Sequence, residues 1–298
     1  MSNGTHEHLP ARLWWVLAAL TLVWGFNWTA MKLAIADIEP LSFRTVCLSA
    51  GCGLLFAYLR LTRQPLSIPR DQWLRLCVIS FFNITLWNLL VVFGLMHIPS
   101  GRAAILAYTM PAWAIPLSVL LLGERVTGRK ILGLALGIAG MGLLVWDEMS
   151  RLRAAPLGAL LVLGAALAWA VGTVLQKKIP VQAPVAASTA WMMLVGGVPI
   201  YLGALLFEDL TRIGAAGPTA LIALAYNVFF AFAWGYWAWL TLATSVTVTV
   251  FSLSMLVIPV VGVLSGMIFL GEKPGWQEYA ALAFVLGSLL CVIAPARR

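Results

Sequence analysis

Apolar residues fall along this chain in blocks of about 20, separated by short stretches rich in Gly, Pro and charge. A block of that length spans a hydrocarbon core of about 30 Å as a helix. Helices are required there, because an unpaired backbone group in hydrocarbon costs several kcal/mol. Ten spans are expected: Leu13–Ile35, Leu41–Leu59, Gln72–Leu95, Gly101–Leu122, Gly128–Trp146, Leu157–Lys178, Ala186–Phe207, Pro218–Thr244, Val246–Leu270 and Trp276–Ala294. The weakest boundary is "LATSVTVT" (242–249), which carries no charge. A turn belongs there because one helix from Pro218 to Leu270 would be far too long. The fold class is an all-α membrane protein of ten transmembrane helices.

Composition supports this reading. Of 298 residues, 62% are hydrophobic and 10% charged, where a soluble domain carries roughly a quarter charged. The net charge of +8 is read as loop charge under the positive-inside rule, not as a nucleic-acid surface. With the amino terminus inside, 12 Lys and Arg fall on that side. Lys32, Arg44, Arg102, Arg151, Arg153, Arg212 and Lys273 make 7 on the other. Both termini are therefore expected in the cytoplasm, in an inner (plasma) membrane. The opening residues lack a signal-peptide cleavage pattern, and the first span reads as retained. Cys47, Cys52, Cys77 and Cys291 lack metal-ligand spacing and read as buried small hydrophobes, so no metal and no cofactor is expected.

The chain repeats itself. "WGFNWTAMK" (24–32) and "WAVGTVLQK" (169–177) share a Trp-to-Lys spacing. "PAWAIPLSVLLLGER" (111–125) lies on "PVVGVLSGMIFLGEK" (259–273) at a shift of 148. The expected domains are a cytoplasmic segment (1–12), a five-helix repeat (13–147), a connecting loop (148–156), a second repeat (157–294) and a cytoplasmic tail (295–298). Five is odd, so the second repeat must enter the membrane from the opposite side. Two inverted halves can pack in two equivalent ways around a central cavity, which is the architecture of alternating access.

These residues resemble the drug/metabolite transporter superfamily: "LVWGFNWTAMKLAI", the Pro-containing fourth and ninth spans, and the "LLLGER" and "IFLGEK" corners. Within it they are similar to the ten-span EamA-type proteins. The aromatic-rich third, fourth and eighth spans are most similar to YddG-type exporters of aromatic and other neutral amino acids. The resemblance implies a central cavity lined by spans 1, 3, 4, 6, 8 and 9, with spans 5 and 10 peripheral.

A polar group at membrane depth faces protein or a wet cavity. On that ground the candidate substrate-binding residues are Trp24, Asn27, Asn83, Trp87, Tyr108, Trp113, Trp169, Tyr226, Asn227, Phe230, Trp234, Trp237, Ser252 and Ser254. Tyr226, Phe230, Trp234 and Trp237 are spaced as one helical face. Each mid-span Trp has an alternative in helix packing or lipid contact, and each Asn in an interhelical hydrogen bond. Pro111, Pro116 and Pro259 suit hinges. Lys32 and Lys177 either snorkel to the interface or act at a gate. Glu124 and Glu272 follow a glycine at a span junction and read as caps of the next helix. Trp14, Trp15, Trp73, Trp146 and Trp276 read as interfacial belt residues.

Absences narrow the chemistry. No phosphate-binding loop indicates ATP drive. Every Asp and Glu sits in a loop or at a span end, and Lys and Arg are expected only at the rim. The remaining fit is a neutral or zwitterionic solute with a large apolar body, stacked on aromatic rings and oriented by Asn and Ser. The expected function is export of neutral, especially aromatic, amino acids by a facilitator without carboxylate-mediated ion coupling. A carrier of the same fold for a sugar, purine or drug, a passive channel and an intramembrane enzyme are the alternatives. The partners expected are a small-molecule substrate and the lipid bilayer, with no nucleic acid. A monomer is one option for its assembly.

Overall fold

The computed structural model describes residues 11–125, 127–152, 156–245 and 257–293. Ten helices account for most of them. They are α1 (Ala11–Ala34), α2 (Pro40–Leu61), α3 (Arg70–His97), α4 (Ser100–Leu122), α5 (Gly128–Leu152), α6 (Leu157–Lys178), α7 (Val185–Phe207), α8 (Pro218–Ser245), α9 (Val257–Leu270) and α10 (Trp276–Ile293). The first eight are long and apolar enough to cross a membrane, and the described parts of α9 and α10 are shorter apolar helices. The fold is therefore the all-α, ten-helix membrane architecture expected. The expected turn in "LATSVTVT" falls largely outside the described residues, as do Ser252 and Ser254.

Local chemistry sets the ends and the irregularities. Pro40 and Pro218 open α2 and α8, where a missing N–H costs nothing. Gly123 and Gly271 end α4 and α9 in the left-handed region, at φ +66 and +64. There glycine avoids the Cβ penalty, and the turn's N–H groups reach back to the last carbonyls. α4 is broken at Tyr108–Thr109, because Pro111 cannot extend the hydrogen-bond ladder and instead restarts the helix at Met110. α3 and α8 each contain a π-helical segment, Phe81–Leu86 and Asn227–Trp234. Such segments are frequent at functional sites.

The packing maps onto itself when each helix is exchanged with the one five later. α5 packs on α10, α2 on α7 and α4 on α9; α1 packs on α9 as α6 does on α4, and α3 on α6 as α8 does on α1. Glu272, just past α9, accepts backbone N–H groups at the start of α4, whereas Glu124 lies just past that helix's other end. The two Gly-Glu corners are thus separated by the length of α4, as two halves of opposite sense require. α5 lays Gly133 and Gly137 against α10 and α4, at contacts a side chain would obstruct.

The outer surface faces lipid. Leu61, Leu74, Leu120 and Phe207 are among many exposed large apolar side chains. Without a hydrophobic force between helices, small residues mediate the close contacts; Ala103, Ala104, Ala107, Ala165, Ala187 and Ala190 are buried. Cys47 and Cys52 are buried as expected, but Cys77 is exposed on α3, where lipid tolerates a thiol as readily as a core does. Among the expected belt residues, Trp14, Trp15, Trp146 and Trp276 are exposed, whereas Trp73 packs edge-on against Trp191.

Candidate functional site

The central chamber is built from α1, α2, α3, α4, α6 and α8. Trp24, Asn27, Trp28 and Met31 of α1 recur at three- and four-residue spacing and present one face to it. The other walls are Arg44 and Leu48; Asn83, Ile84, Trp87, Asn88 and Val91; Tyr108 and Met110; Trp169; and Ala231 with Phe232. Tyr108 reaches the chamber from the break in α4. The volume is about 180 Å³. A second chamber of about 480 Å³ shares Trp24, Asn83, Ile84 and Trp169 with the first. It runs toward the carboxyl end of α6 and the amino end of α7, where Thr173, Gln176, Pro180 and Val185 are exposed. Typical small-molecule pockets measure about 300–1,000 Å³, so the pair together suit a metabolite.

The shared wall is a polar constriction. The Asn83 amide nitrogen donates to the Trp169 carbonyl at 3.2 Å, and its oxygen accepts from Gln176 Nε2 at 3.0 Å. Trp87 and Trp169 stand with ring centroids 4.9 Å apart. Gly172 makes this approach possible, because any Cβ there would collide with the Asn83 amide.

The expected site residues separate into three groups. Trp24, Asn27, Asn83, Trp87, Tyr108 and Trp169 line the central chamber. Trp113, Tyr226, Asn227, Phe230, Trp234 and Trp237 do not. Tyr226 donates its hydroxyl to the Val23 carbonyl at 2.8 Å and stacks on Phe230, which is itself 53% exposed. Asn227 is fully buried and bonds back to Ala223 in its own helix. Trp234 packs with Leu13, Leu17 and Leu20. Trp237 lines another cavity, of about 430 Å³ between α2, α7 and α8, which shares Phe232 with the central chamber. The π segment explains the dispersal: its wider turn shifts the angular register, so residues spaced as one α-helical face no longer share one. Ser252 and Ser254, in the third group, lie outside the described residues.

Sequence reading also missed walls. Arg44, placed there among the rim charges, is 3% exposed and lines the chamber. The expectation that Lys and Arg occur only at the rim is therefore corrected. Its signal was a charge about one helical turn inside a span. Trp28, Asn88 and Phe232 are further chamber walls, and α2 joins the helices the resemblance implied. The described part of α9 does not line the chamber.

The two ends of the bundle differ. At the Glu272 end, its carboxylate accepts N–H bonds from Ser100 at 2.6 Å and Gly101 at 3.1 Å. The positive end of the α4 dipole favours such an anion. Lys32 donates to the carbonyls of Leu95 and of Ile98, the latter at 2.9 Å. Arg102, Asp147 and Glu278 form a buried ion triad joining α4, α5 and α10. Glu208, after α7, accepts the N–H groups of Leu41 and Ser42 at 3.0 and 2.6 Å. At the other end Glu124 binds Lys130 at 2.8 Å and the exposed Lys177 at 2.6 Å. Those hydrogen bonds, to Lys130 first and Lys177 second, hold its carboxyl at about 2 against an ordinary 4.5. Glu272 therefore caps α4 and not the next helix, since the fold brings the α4 amino terminus beside it. Pro111 starts the second piece of α4, Pro116 lies within it, and Pro259 is buried in α9.

Comparison with known proteins agrees with this architecture. The chain is 27% identical over 277 residues to the uncharacterized transporter YoaV of Bacillus subtilis (strain 168), covering 92% of each. It is 28% identical over 281 residues to a probable amino-acid metabolite efflux pump of Escherichia coli (strain K12), covering 91% of this chain and 92% of that one. A solved crystal structure superposes with a TM-score of 0.66 at 18% identity, covering 94% of this chain and 96% of the other, and so shares the fold. The EamA-like transporter family profile matches twice, over residues 12–146 and 156–294. With both halves matched, the chain belongs to the EamA-like transporter family.

Proposed function

We propose that the protein is a secondary carrier exporting neutral, especially aromatic, amino acids by alternating access, as a facilitator without carboxylate-mediated ion coupling. Residues 13–147 and 157–294 act as its two repeats. The observation that carries the reading is the wall of the central chamber: Trp24, Trp28, Trp87 and Trp169 with Asn27, Asn83 and Asn88, and no Asp or Glu among the described residues. Aromatic rings offer stacking area, the amides orient, and an acid-free wall gives no site for a coupling proton or a small cation. The likeness to a protein named as a probable amino-acid metabolite efflux pump supports the substrate class.

The difference between the ends supports alternating access. Lys32 and Lys177 are equivalent in the repeat, and so are Glu272 and Glu124. At one end the pair is engaged with the termini of α3 and α4. At the other, Lys177 and Glu124 bind each other and the larger chamber opens beside them. We read these as one latch, closed at the Glu272 end and released at the Lys177 end. On the charge bias the open end is cytoplasmic, so this state accepts substrate from inside. Exchange of the two arrangements delivers it outward.

Counterflow into proteoliposomes, run across tryptophan, phenylalanine, a sugar and a purine, tests the reading. Saturable exchange of the two amino acids is expected. Exchange confined to the sugar or purine overturns the substrate class, and an uptake rate rising steeply with an imposed pH gradient overturns uncoupled transport.

A further inference from the structure

Among the described residues, Arg44 is the single formal charge in the wall of the central chamber. Arg44 reaches from α2 to α1, with Nη2 3.1 Å from Met31 Sδ. Four residues before Met31 on the same helical face stands Asn27, about one turn or 6 Å away. Its side-chain oxygen is buried in the chamber wall and has no hydrogen-bond partner. A guanidinium buried in this wall is costly to desolvate, and an orphaned buried acceptor costs its full desolvation. Both costs are reduced when a ligand brings an anionic group and a donor together.

We propose that Arg44 and Asn27 form a zwitterion subsite: the guanidinium binds the substrate α-carboxylate and the Asn27 oxygen accepts from its α-ammonium. The planar fork of arginine suits a carboxylate bidentately. Trp24 and Trp28, in the same wall, add aromatic faces for the ammonium. The Trp87 and Trp169 rings, 4.9 Å apart, are left to contact the substrate side chain. The inference rests on the amino-acid reading and sharpens it. An amine without a carboxylate meets the positive charge alone and is rejected. A carboxylate without an amine retains the stronger half of the contact.

The test measures uptake kinetics in proteoliposomes for tryptophan, tryptamine and indole-3-propionate, with wild type, Arg44→Lys, Arg44→Gln and Asn27→Leu. Wild type is expected to move tryptophan, to move indole-3-propionate with higher KM, and to exclude tryptamine. Losing one member of a desolvated charge contact raises KM for both carboxylates by about 30-fold or more in Arg44→Gln. Arg44→Lys recovers part of this. Asn27→Leu raises KM for tryptophan more than for indole-3-propionate. An Arg44→Gln protein that elutes as wild type and keeps the wild-type KM for tryptophan overturns the proposal, as does tryptamine uptake at the tryptophan rate. If Arg44→Gln does not fold, Arg44→Lys decides: a KM unchanged for tryptophan but raised for indole-3-propionate overturns it. Wild type that moves indole-3-propionate and no amino acid rejects the amino-acid reading and the Asn27 role, while leaving the Arg44 carboxylate site standing.

Discussion

Glu272→Gln is expected to open the bundle at the Glu272 end. The carboxylate accepts two backbone N–H groups at the start of α4. A glutamine offers one acceptor oxygen, loses the charge, and leaves the second N–H to water. Hydrogen bonds to a charged group contribute about 1.5–3 kcal/mol each and neutral ones about 0.5–1.5. Allowing for water that replaces part of the loss, the closed arrangement is weakened by about 2 kcal/mol, or about 30-fold in the closing equilibrium. A minor open state held at about 1% in the wild type would then rise to about a fifth of the molecules. Spin labels on cysteines at Ala36 and Lys273, both exposed at this end, report it as a longer distance component by double electron–electron resonance. Glu124→Gln supplies the opposite sign, since the released corner then cannot engage and the Glu272 end stays shut. Superposable distance distributions for Glu272→Gln and wild type, with thermal unfolding unchanged, would falsify the latch. So would a Glu124→Gln variant that opens the same end.

Arg102→Met leaves Asp147 and Glu278 buried without their cation; it should cost about 3–5 kcal/mol, seen as a lowered unfolding temperature in detergent that Asp147→Asn with Glu278→Gln partly restores. Gly172→Ala drives a methyl into the Asn83 amide and should reduce transport severalfold while expression holds. Gly142→Ala, with nothing within 4 Å of the new carbon, should leave transport unchanged and stabilise by up to about 1 kcal/mol through helix propensity. Because the Glu124 carboxyl is depressed from 4.5 to about 2, its contribution is complete above 4.5 and is lost as pH falls toward 2. Glu124 should therefore add no pH dependence to stability between about 5.5 and 8, and a difference between wild type and Glu124→Gln unfolding that varies across that window counts against the assignment.

Much of the architecture could be read before folding was considered. Hydrocarbon demands an unbroken ladder of backbone hydrogen bonds, so the length of each apolar block carries its meaning alone. The paired "WGFNWTAMK" and "WAVGTVLQK" stretches, and the two Gly-Glu corners, were enough to infer inverted halves. The candidate site was legible where a residue type is costly in lipid whatever its surroundings. Asn27 and Asn83 line the chamber, while Asn227 satisfies its amide nitrogen within its own helix. Periodicity failed in α8, where the π segment changes the angle per residue and carries Phe230 and Trp237 away from Trp24.

Span number, order and opposed direction were thus properties of the sequence, because each follows from local hydropathy and repetition. Three features belonged to the tertiary structure: that the larger chamber runs toward the Lys177 end, that Glu272 reaches the amino terminus of α4 and not of α10, and that Arg44 turns from the rim into the central chamber. Each depends on which helices become neighbours across well over a hundred residues of chain or across a packed bundle. A charge near a span end can snorkel outward or fold inward at similar local cost, and only the packing around it decides.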